Sequence, residues 1–164
     1  MDVRIGIVTV SDRISQGERE DVSGPELEKL ILGRGWLVSS KAVVPDNVIV
    51  LRDLLSAWSD SEKMDIIVTT GGTGFSPRDI TPEATQAVIQ KTAPGIVEAM
   101  RAAALQSTPH SMLSRATAGI RGATLIINLP GSPKGAVENL QVVLPVLEHA
   151  VALLRQDPSA EAGH

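Results

Sequence analysis

The sequence predicts an α/β fold: a single-domain, open, mostly parallel mixed sheet flanked by helices. Continuous β-branched runs, typical of buried parallel strands, occupy residues 3–10, 66–70 and 124–129. Helical patterns separate these runs, and such alternation favours an open sheet with helices on both faces. The chain has 164 residues, of which 43% are hydrophobic, so it is long enough to bury one sizeable core.

The first half of the chain contains two predicted helices and a further strand. Residues 23–26 have the pattern of a capping box, which predicts a helix over residues 23–33. Residues 36–44 form a more mixed strand, which we expect to lie nearer an edge of the sheet. A second helix is predicted from the helical spacing of Leu51, Leu54, Leu55 and Trp58.

Two further helices are predicted after the third strand. Thr81 is expected to be an N-cap with Pro82 at the first helical position, and the helix continues over residues 84–90. A second helix follows over residues 94–105, with apolar residues along one side.

The last part of the chain is expected to turn back on itself before a long helix. Residues 120–122 can turn one strand antiparallel against residues 124–129. Ser132 opens the last helix, which runs to about residue 155, and Pro145 is expected to kink or divide it.

Composition excludes several classes of function. The chain has no cysteine, which excludes disulfides, thiol nucleophiles, iron–sulfur clusters and cysteine-ligated zinc. A net charge of −4 and only three aromatic residues argue against nucleic-acid binding. No apolar run reaches 18 residues, and no secretory signal is visible, so we expect a cytoplasmic protein without a membrane partner. We expect residues 1–156 to form the domain and residues 157–164 a flexible tail.

The most informative segment is a glycine-rich loop over residues 69–79, between a buried strand and a helix start. Gly71, Gly72 and Gly74 leave backbone N–H groups unobstructed, so that a phosphate can approach them closely. The polar side chains of the loop are those of Thr70, Thr73, Ser76, Arg78 and Asp79. They offer hydroxyl donors, a guanidinium fork for an oxyanion, and a carboxylate that could hold Mg²⁺. The alternative is a connecting loop whose glycines only form the turn.

Three further polar loops follow predicted strands, and each alone could be an ordinary turn or helix cap. The candidate ligand-binding residues in these loops are Ser11, Asp12, Asp46, Pro130, Gly131 and Ser132. The last of these loops also opens a helix, whose N-terminus attracts anions. Because open α/β sheets bind ligands along the carboxyl edge of their strands, we expect the four loops to form one site.

A segment around residues 111–115 is open to two interpretations. Ser111, Ser114 and Arg115 could reach an anionic ligand, or the segment could be a structural loop. We keep Ser114 as a candidate ligand-binding residue. The chain has neither a G-x-S-x-G pattern nor a partnered histidine, which argues against a serine hydrolase.

Residues 69–85 strongly resemble the signature of molybdopterin adenylyltransferases, which include the G domains of the plant molybdenum-cofactor protein and of gephyrin. The resemblance covers residues 3–155. It is carried further by residues 8–12, 44–46, 112–115, 118–122 and 124–133. One departure is Ser132, where many relatives carry Asn, and both residue types can cap a helix.

The resemblance implies a mixed sheet between helices, assembled as a homotrimer, and an enzyme that uses ATP and Mg²⁺. Enzymes of this family join AMP to the terminal phosphate of molybdopterin, release pyrophosphate, and pass the adenylylated pterin to the molybdenum-insertion step. Two aspartates of the family's site match Asp46 and Asp79, which therefore become the candidates for catalysis and for holding the metal.

Three alternatives are left open by the sequence. Within the family, the chain could bind molybdopterin without adenylylating it. In another class of function, it could be a scaffold or interaction protein, as gephyrin's G domain partly is. A receiver-like signalling domain is a third possibility, but that class needs an acidic pair after the first strand, where Asp12 stands beside Arg13. ATP turnover only in the presence of molybdopterin would separate an enzyme from a scaffold.

Overall fold

The structure is a computed structural model that describes residues 1–161, and it contains one six-stranded sheet. The strands are β1 (Arg4–Val10), β2 (Leu37–Val44), β3 (Ile66–Thr70), β4 (Lys91–Thr92), β5 (Ala118–Arg121) and β6 (Thr124–Leu129). The helices are α1 (Asp12–Ser15), α2 (Ser23–Gly33), α3 (Val48–Asp60), α4 (Thr81–Val88), α5 (Pro94–Ala104), α6 (Pro133–Leu154) and α7 (Pro158–Glu161), with a 3₁₀ helix at Pro109–Leu113.

The sheet has the strand order β2-β1-β3-β6-β5-β4. The first four strands in this order pair in parallel, and β5 and β4 add two antiparallel pairings at one side. The predicted α/β class, the edge position of β2 and the antiparallel turn into β6 are therefore confirmed. Strand β4 was not predicted, because two exposed residues carry no hydrophobic pattern.

Alternate residues of the central strands contribute side chains to two hydrophobic cores, one on each face of the sheet. Ile5 and Ile7 of β1 belong to the core beneath α2, α5 and α6, whereas Val8 and Val10 belong to the core beneath α3 and α4. Strands that are buried on both faces have continuous apolar sequences. For this reason the positions of the central strands were predicted correctly from the sequence. Each fully buried aliphatic side chain contributes about 1.5–3 kcal/mol to folding.

Helix α6 runs without a break from Pro133 to Leu154, so Pro145 does not divide it, and the alternative of a kink at Pro145 stays a prediction. Within residues 1–161, α6 is the one helix whose length and mean hydropathy of 1.4 would also suit a membrane span. Here it is a core helix, because seven of its residues are buried and it packs on α2, α5 and β6.

Two predicted helix caps are wrong, although both helices start where expected. The hydroxyl of Ser23 donates to the carbonyl of Gly131 at 2.7 Å, and Asp21 instead accepts from the amide of Gly24 at 3.0 Å. The hydroxyl of Thr81 donates to the carbonyl of Gly71 at 2.8 Å. Both hydroxyls therefore tie a helix start to the loops at the carboxyl edge of the sheet.

Part of the predicted tail carries regular structure. Pro158–Glu161 form one helical turn, in which Ala160 is buried. Residues 162–164, for which flexibility was also expected, lie outside the described residues. The division into a domain and a flexible tail stays a prediction.

Candidate active site

The loops after the four parallel strands meet at the carboxyl edge of the sheet, as expected. The amide of Ser11 donates to Val44 at 2.9 Å, and the amide of Gly71 donates to Leu129 at 3.2 Å. A Cβ atom on Gly131 would lie only 3.3 Å from the Cα of Gly71. These contacts join the loops after β1 and β2, and those after β3 and β6, at a single edge.

Two glycines of the loop between β3 and α4 are required by its geometry. Gly71 has a φ of +101° and Gly72 a φ of +69°, which is the region that favours glycine. A Cβ on Gly71 would collide with the carbonyl oxygen of Val10, and a Cβ on Gly72 would collide with the hydroxyl of Thr81. At these two positions the loop therefore lies directly against its neighbours, with no room for a side chain.

Three successive amides of this loop can bind an anion. Within residues 1–161, no backbone carbonyl accepts a hydrogen bond from the amides of Gly72, Thr73 or Gly74. A run of such N–H groups suits phosphate oxygens. Thr73 itself is buried. The amide of Gly71 is already bound to Leu129 and is not part of this set.

Asp46 follows β2, and its carboxylate faces the glycine-rich loop. Its Oδ2 accepts from the amide of Asp12 at 2.8 Å, and its Oδ1 would lie 3.3 Å from a Cβ on Gly72. The cap of α3 is the neighbouring residue Asn47. Asp46 therefore does not serve as the helix cap that its position alone suggested.

Burial raises the pKa of Asp46 above its ordinary value, and the negative charges of Asp12 and Asp79 add to the rise. The hydrogen bond from the amide of Asp12 and the positive charge of Arg78 lower the pKa in part. The effect of Asp79 means that the two catalytic candidates lie within electrostatic reach of each other, although they are 33 residues apart in the sequence.

Arg78 is held by Asp12. Its Nε and Nη2 donate to Oδ2 of Asp12 at 2.9 and 2.7 Å, and Nη2 also donates to the carbonyl of Asp46 at 3.0 Å. The hydrogen bond from Arg78 lowers the pKa of the Asp12 carboxyl. Asp12 thus orients Arg78, and the side chain of Arg78 still offers its third nitrogen to an anion.

Asp79 lies near the end of the loop, and one of its two carboxylate oxygens accepts a hydrogen bond. Its Oδ2 accepts from the amide of Ser76 at 3.0 Å and would lie 3.0 Å from a Cβ on Gly74. The hydroxyl of the exposed Ser76 accepts from the amide of Arg78 at 3.4 Å. The loop therefore fixes the carboxylate of Asp79 from its own backbone.

Three predicted ligand-binding hydroxyls have structural partners. The hydroxyl of Thr70 donates to the carbonyl of Pro130 at 2.7 Å and is buried. Ser11 caps α1 by accepting from Ile14 at 3.2 Å, and Ser132 caps α6 by accepting from Gly135 at 3.1 Å. These residues shape the loops. Ser11 and Ser132 only accept in these bonds, so each still has a hydroxyl proton to donate to a ligand.

A cavity of about 300 Å³ opens beside the glycine-rich loop. Gly74, Ser114 and Pro130 line it, together with Arg101 and Asn139, which the sequence reasoning missed. Arg101 could have been found, because it lies four residues after the apolar Val97 and so on the inward side of α5. The buried hydroxyl of Ser111, which also lines this cavity, has no hydrogen-bond partner within residues 1–161.

The carboxylates of Asp46 and Asp79 suit a magnesium–nucleotide complex. Each has one oxygen bound to a backbone amide and leaves Oδ1 for a cation. No group of three or more metal-ligating side chains occurs within residues 1–161. Mg²⁺ is usually held by one or two carboxylates, with substrate phosphates and water completing its shell, so this donor set fits it.

Comparison with known proteins places the chain in a family. The family described as a probable molybdopterin binding domain matches residues 6–149. The molybdopterin adenylyltransferase of Helicobacter pylori strain 26695 is 42% identical over 156 residues, which is 93% of this chain and 88% of that protein. Gephyrin of Dictyostelium discoideum is 43% identical over 95% of this chain, but the chain spans only 23% of its length.

The fold is shared with solved structures of the same class. The crystal structure of the molybdopterin biosynthesis enzyme MoaB of Thermus thermophilus has a TM-score of 0.89 and 47% sequence identity, covering 95% of this chain and 98% of that one. The match of the family over residues 6–149 agrees with this likeness over nearly the whole chain. The chain therefore belongs to the family of molybdopterin-binding domains of molybdenum cofactor biosynthesis.

Proposed function

We propose that this protein transfers AMP from ATP to the terminal phosphate of molybdopterin, as a step of molybdenum cofactor biosynthesis. The observation that carries the proposal is that the carboxylates of Asp46 and Asp79 both lie against the glycine-rich loop, at Gly72 and Gly74, beside its unpaired amides. The 42% identity to a molybdopterin adenylyltransferase supports the same reaction.

The reaction needs no nucleophile from the protein. An oxygen of the terminal phosphate of molybdopterin forms a bond to the α-phosphorus of ATP. The bond between the α-phosphorus and the oxygen that bridges to the β-phosphorus breaks, and pyrophosphate leaves with that electron pair. Such a transfer depends on holding several anions in line and on neutralising their charge.

The residues at the carboxyl edge supply these functions. The amides of Gly72, Thr73 and Gly74 bind phosphate oxygens, and Asp46 and Asp79 hold Mg²⁺. When bound, Mg²⁺ neutralises charge that develops on the phosphates. The cavity of about 300 Å³ adjoins Gly74 and gives room for the non-phosphate part of a substrate beside the reacting groups.

The direct test uses ATP labelled at the α-phosphate, incubated with the protein, molybdopterin and Mg²⁺. We expect label on the pterin and one pyrophosphate released per label transferred. Omitting molybdopterin, or chelating the metal, should abolish both products. Tight binding of molybdopterin without transfer of label would instead identify a non-catalytic binding protein or scaffold.

The proposal includes a homotrimer that acts in the cytoplasm and passes its product to a molybdenum-insertion enzyme. Exposed apolar side chains on α6, at Val142 and Val146, and exposed alanines on α5 offer surface for contact between subunits. A trimer with closed three-fold symmetry needs heterologous patches. Light scattering across a dilution series tests this, because a mass near 17.3 kDa throughout would rule out assembly, and a stable dimer would rule out the trimer.

A further inference from the structure

Arg115 binds backbone carbonyls of the glycine-rich loop that carries Asp79. Its Nε donates to the carbonyl of Gly74 at 2.8 Å, and its Nη2 donates to the carbonyl of Asp79 at 3.0 Å. Its backbone amide also donates to the carbonyl of Thr73 at 2.8 Å. One residue, distant in the sequence, thus holds the loop at three carbonyls between positions 73 and 79.

The backbone of Arg115 is itself fixed by a second arginine. Nη1 of Arg101, on α5, donates to the carbonyls of Ser114 and Ala116 at 3.2 and 3.1 Å. These carbonyls flank Arg115 on either side. Because Arg101 and Ser114 also line the cavity beside Gly74, the wall of the cavity and the carboxylate loop are joined through Arg115.

The guanidinium of Arg115 has protein partners at all three nitrogens. Nη1 forms an ion pair with Glu83 on α4, and Nε and Nη2 are bound to the loop carbonyls. A group engaged in this way acts on the reaction through the loop and not by direct contact with a substrate. A lysine could not reproduce the arrangement, because a single ammonium cannot match a planar fork of donors.

We propose that Arg115 is a positioning residue that holds Asp79 in the geometry needed for adenylyl transfer, an inference that rests on the proposed function. The carbonyl that Arg115 binds belongs to Asp79 itself, and the carboxylate of Asp79 is tied to the amide of Ser76 within the same loop. Loss of Arg115 frees the loop at two carbonyls at once. A displacement of about 1 Å at a reacting site costs about a hundredfold in rate.

The experiment compares Arg115→Ala and Arg115→Lys with the wild-type protein in the labelled-ATP assay. We expect kcat to fall about a hundredfold in both variants, while the KM for ATP changes far less. The Mg²⁺ concentration for half-maximal rate should rise. Added guanidinium ions should partly restore the Arg115→Ala variant, because they can occupy the space of the missing fork.

A second readout does not depend on turnover. The carbon-13 shift of the Asp79 carboxyl is followed while Mg²⁺ is titrated. In the wild-type protein this signal should respond at lower Mg²⁺ concentration than in either Arg115 variant. Circular dichroism accompanies the titration, and if Arg115→Ala does not fold, the Arg115→Lys variant carries the comparison.

Arg121 provides a matched control. It also donates to one backbone carbonyl, that of Val88 at 3.0 Å, and forms an ion pair with Asp60 at 3.0 Å. It lies at the other edge of the sheet, where it pairs with Thr124 at the start of β6. Arg121→Ala should therefore keep the wild-type kcat and Mg²⁺ response, and guanidinium should have no effect on it.

Glu83→Gln separates the ion pair from the carbonyl contacts. This variant removes the charge partner of Arg115 but leaves Gly74 and Asp79 as acceptors, so its loss of kcat should be much smaller than that of Arg115→Ala. If wild-type protein shows no transfer, the proposed function fails. If transfer occurs and the Arg115 variants behave like Arg121→Ala, the positioning role is wrong.

Discussion

Asp12 and Asp46 each accept a hydrogen bond from the backbone amide of the other, at 3.0 and 2.8 Å. The two bonds close a ring between the loop after β1 and the loop after β2. The remaining oxygen of Asp12 binds Arg78, so its negative charge is matched within the protein. Asp12 is therefore better suited to orienting Asp46 and Arg78 than to contacting a phosphate.

Substitution of Asp12 by asparagine should lower the pKa of Asp46. The charge of Asp12 raises that pKa, and the substitution removes the charge while keeping an oxygen for the amide of Asp46. A carbon-13 titration of the Asp46 carboxyl in the wild-type and Asp12→Asn proteins measures the shift. In a plot of the rate against pH, the fall in rate on the acid side should therefore also move to lower pH. An unchanged or higher pKa of Asp46 would contradict this electrostatic assignment.

Asp79→Asn and Asp46→Asn should each reduce adenylyl transfer at least about a hundredfold, the usual scale for one lost electrostatic contributor. Both variants keep the size of the side chain, so the melting temperature should stay close to that of the wild type. Asp53→Asn is the matched control, because Asp53 is exposed and its partner is the neighbouring Arg52. Full activity in either of the first two variants would remove that residue from the site.

Gly72→Val should weaken the binding of both ATP and molybdopterin, as measured by calorimetry. The side chain would collide with the hydroxyl of Thr81, and a φ of +69° is strained for any branched residue. Gly95→Ala is the control, because a Cβ there meets no other atom within 4 Å. It should bind both ligands normally. Normal binding by Gly72→Val would mean that the loop only forms a turn.

Asp65 should make folding stability depend on pH in acid. Burial raises the pKa of Asp65, but hydrogen bonds from Arg4 and Arg155 more than offset this and lower it to about 2, from an ordinary value of 3.8. Because the folded value is the lower one, the stabilisation is complete above pH 3.8 and is lost as the pH falls towards 2. It amounts to about 2 kcal/mol.

The measurement is the free energy of unfolding of wild-type and Asp65→Asn proteins at neutral pH and near pH 2. The difference between them should shrink in acid. Asp60→Asn is a suitable comparison, because Asp60 also pairs with an arginine but is largely exposed. A gap between wild type and Asp65→Asn that is independent of pH would show that the ionised carboxylate is not responsible.

The sequence by itself determined the parallel strands, most helices and the loop that carries Asp79. Runs such as Ile66–Thr70 are buried on both faces, so their pattern is visible without knowledge of any partner. The positive φ of Gly71 and Gly72 is a local property of the backbone, whereas the collision of a Cβ on Gly71 with the carbonyl of Val10 depends on how two loops pack. The family resemblance of residues 69–85 predicted adenylyl transfer, because many neighbouring residues match the family signature at once.

Only the tertiary structure decided which polar side chains serve a ligand and which serve the fold. Ser23 looked like a helix cap, yet its hydroxyl binds Gly131, 108 residues away. Arg115 looked as though it could contact an anion, yet its donors are bound to Gly74, Asp79 and Glu83. A hydroxyl or guanidinium can satisfy its hydrogen bonds with any acceptor that comes within reach. Which acceptor comes within reach depends on how distant strands and helices pack together, and local sequence does not contain that information.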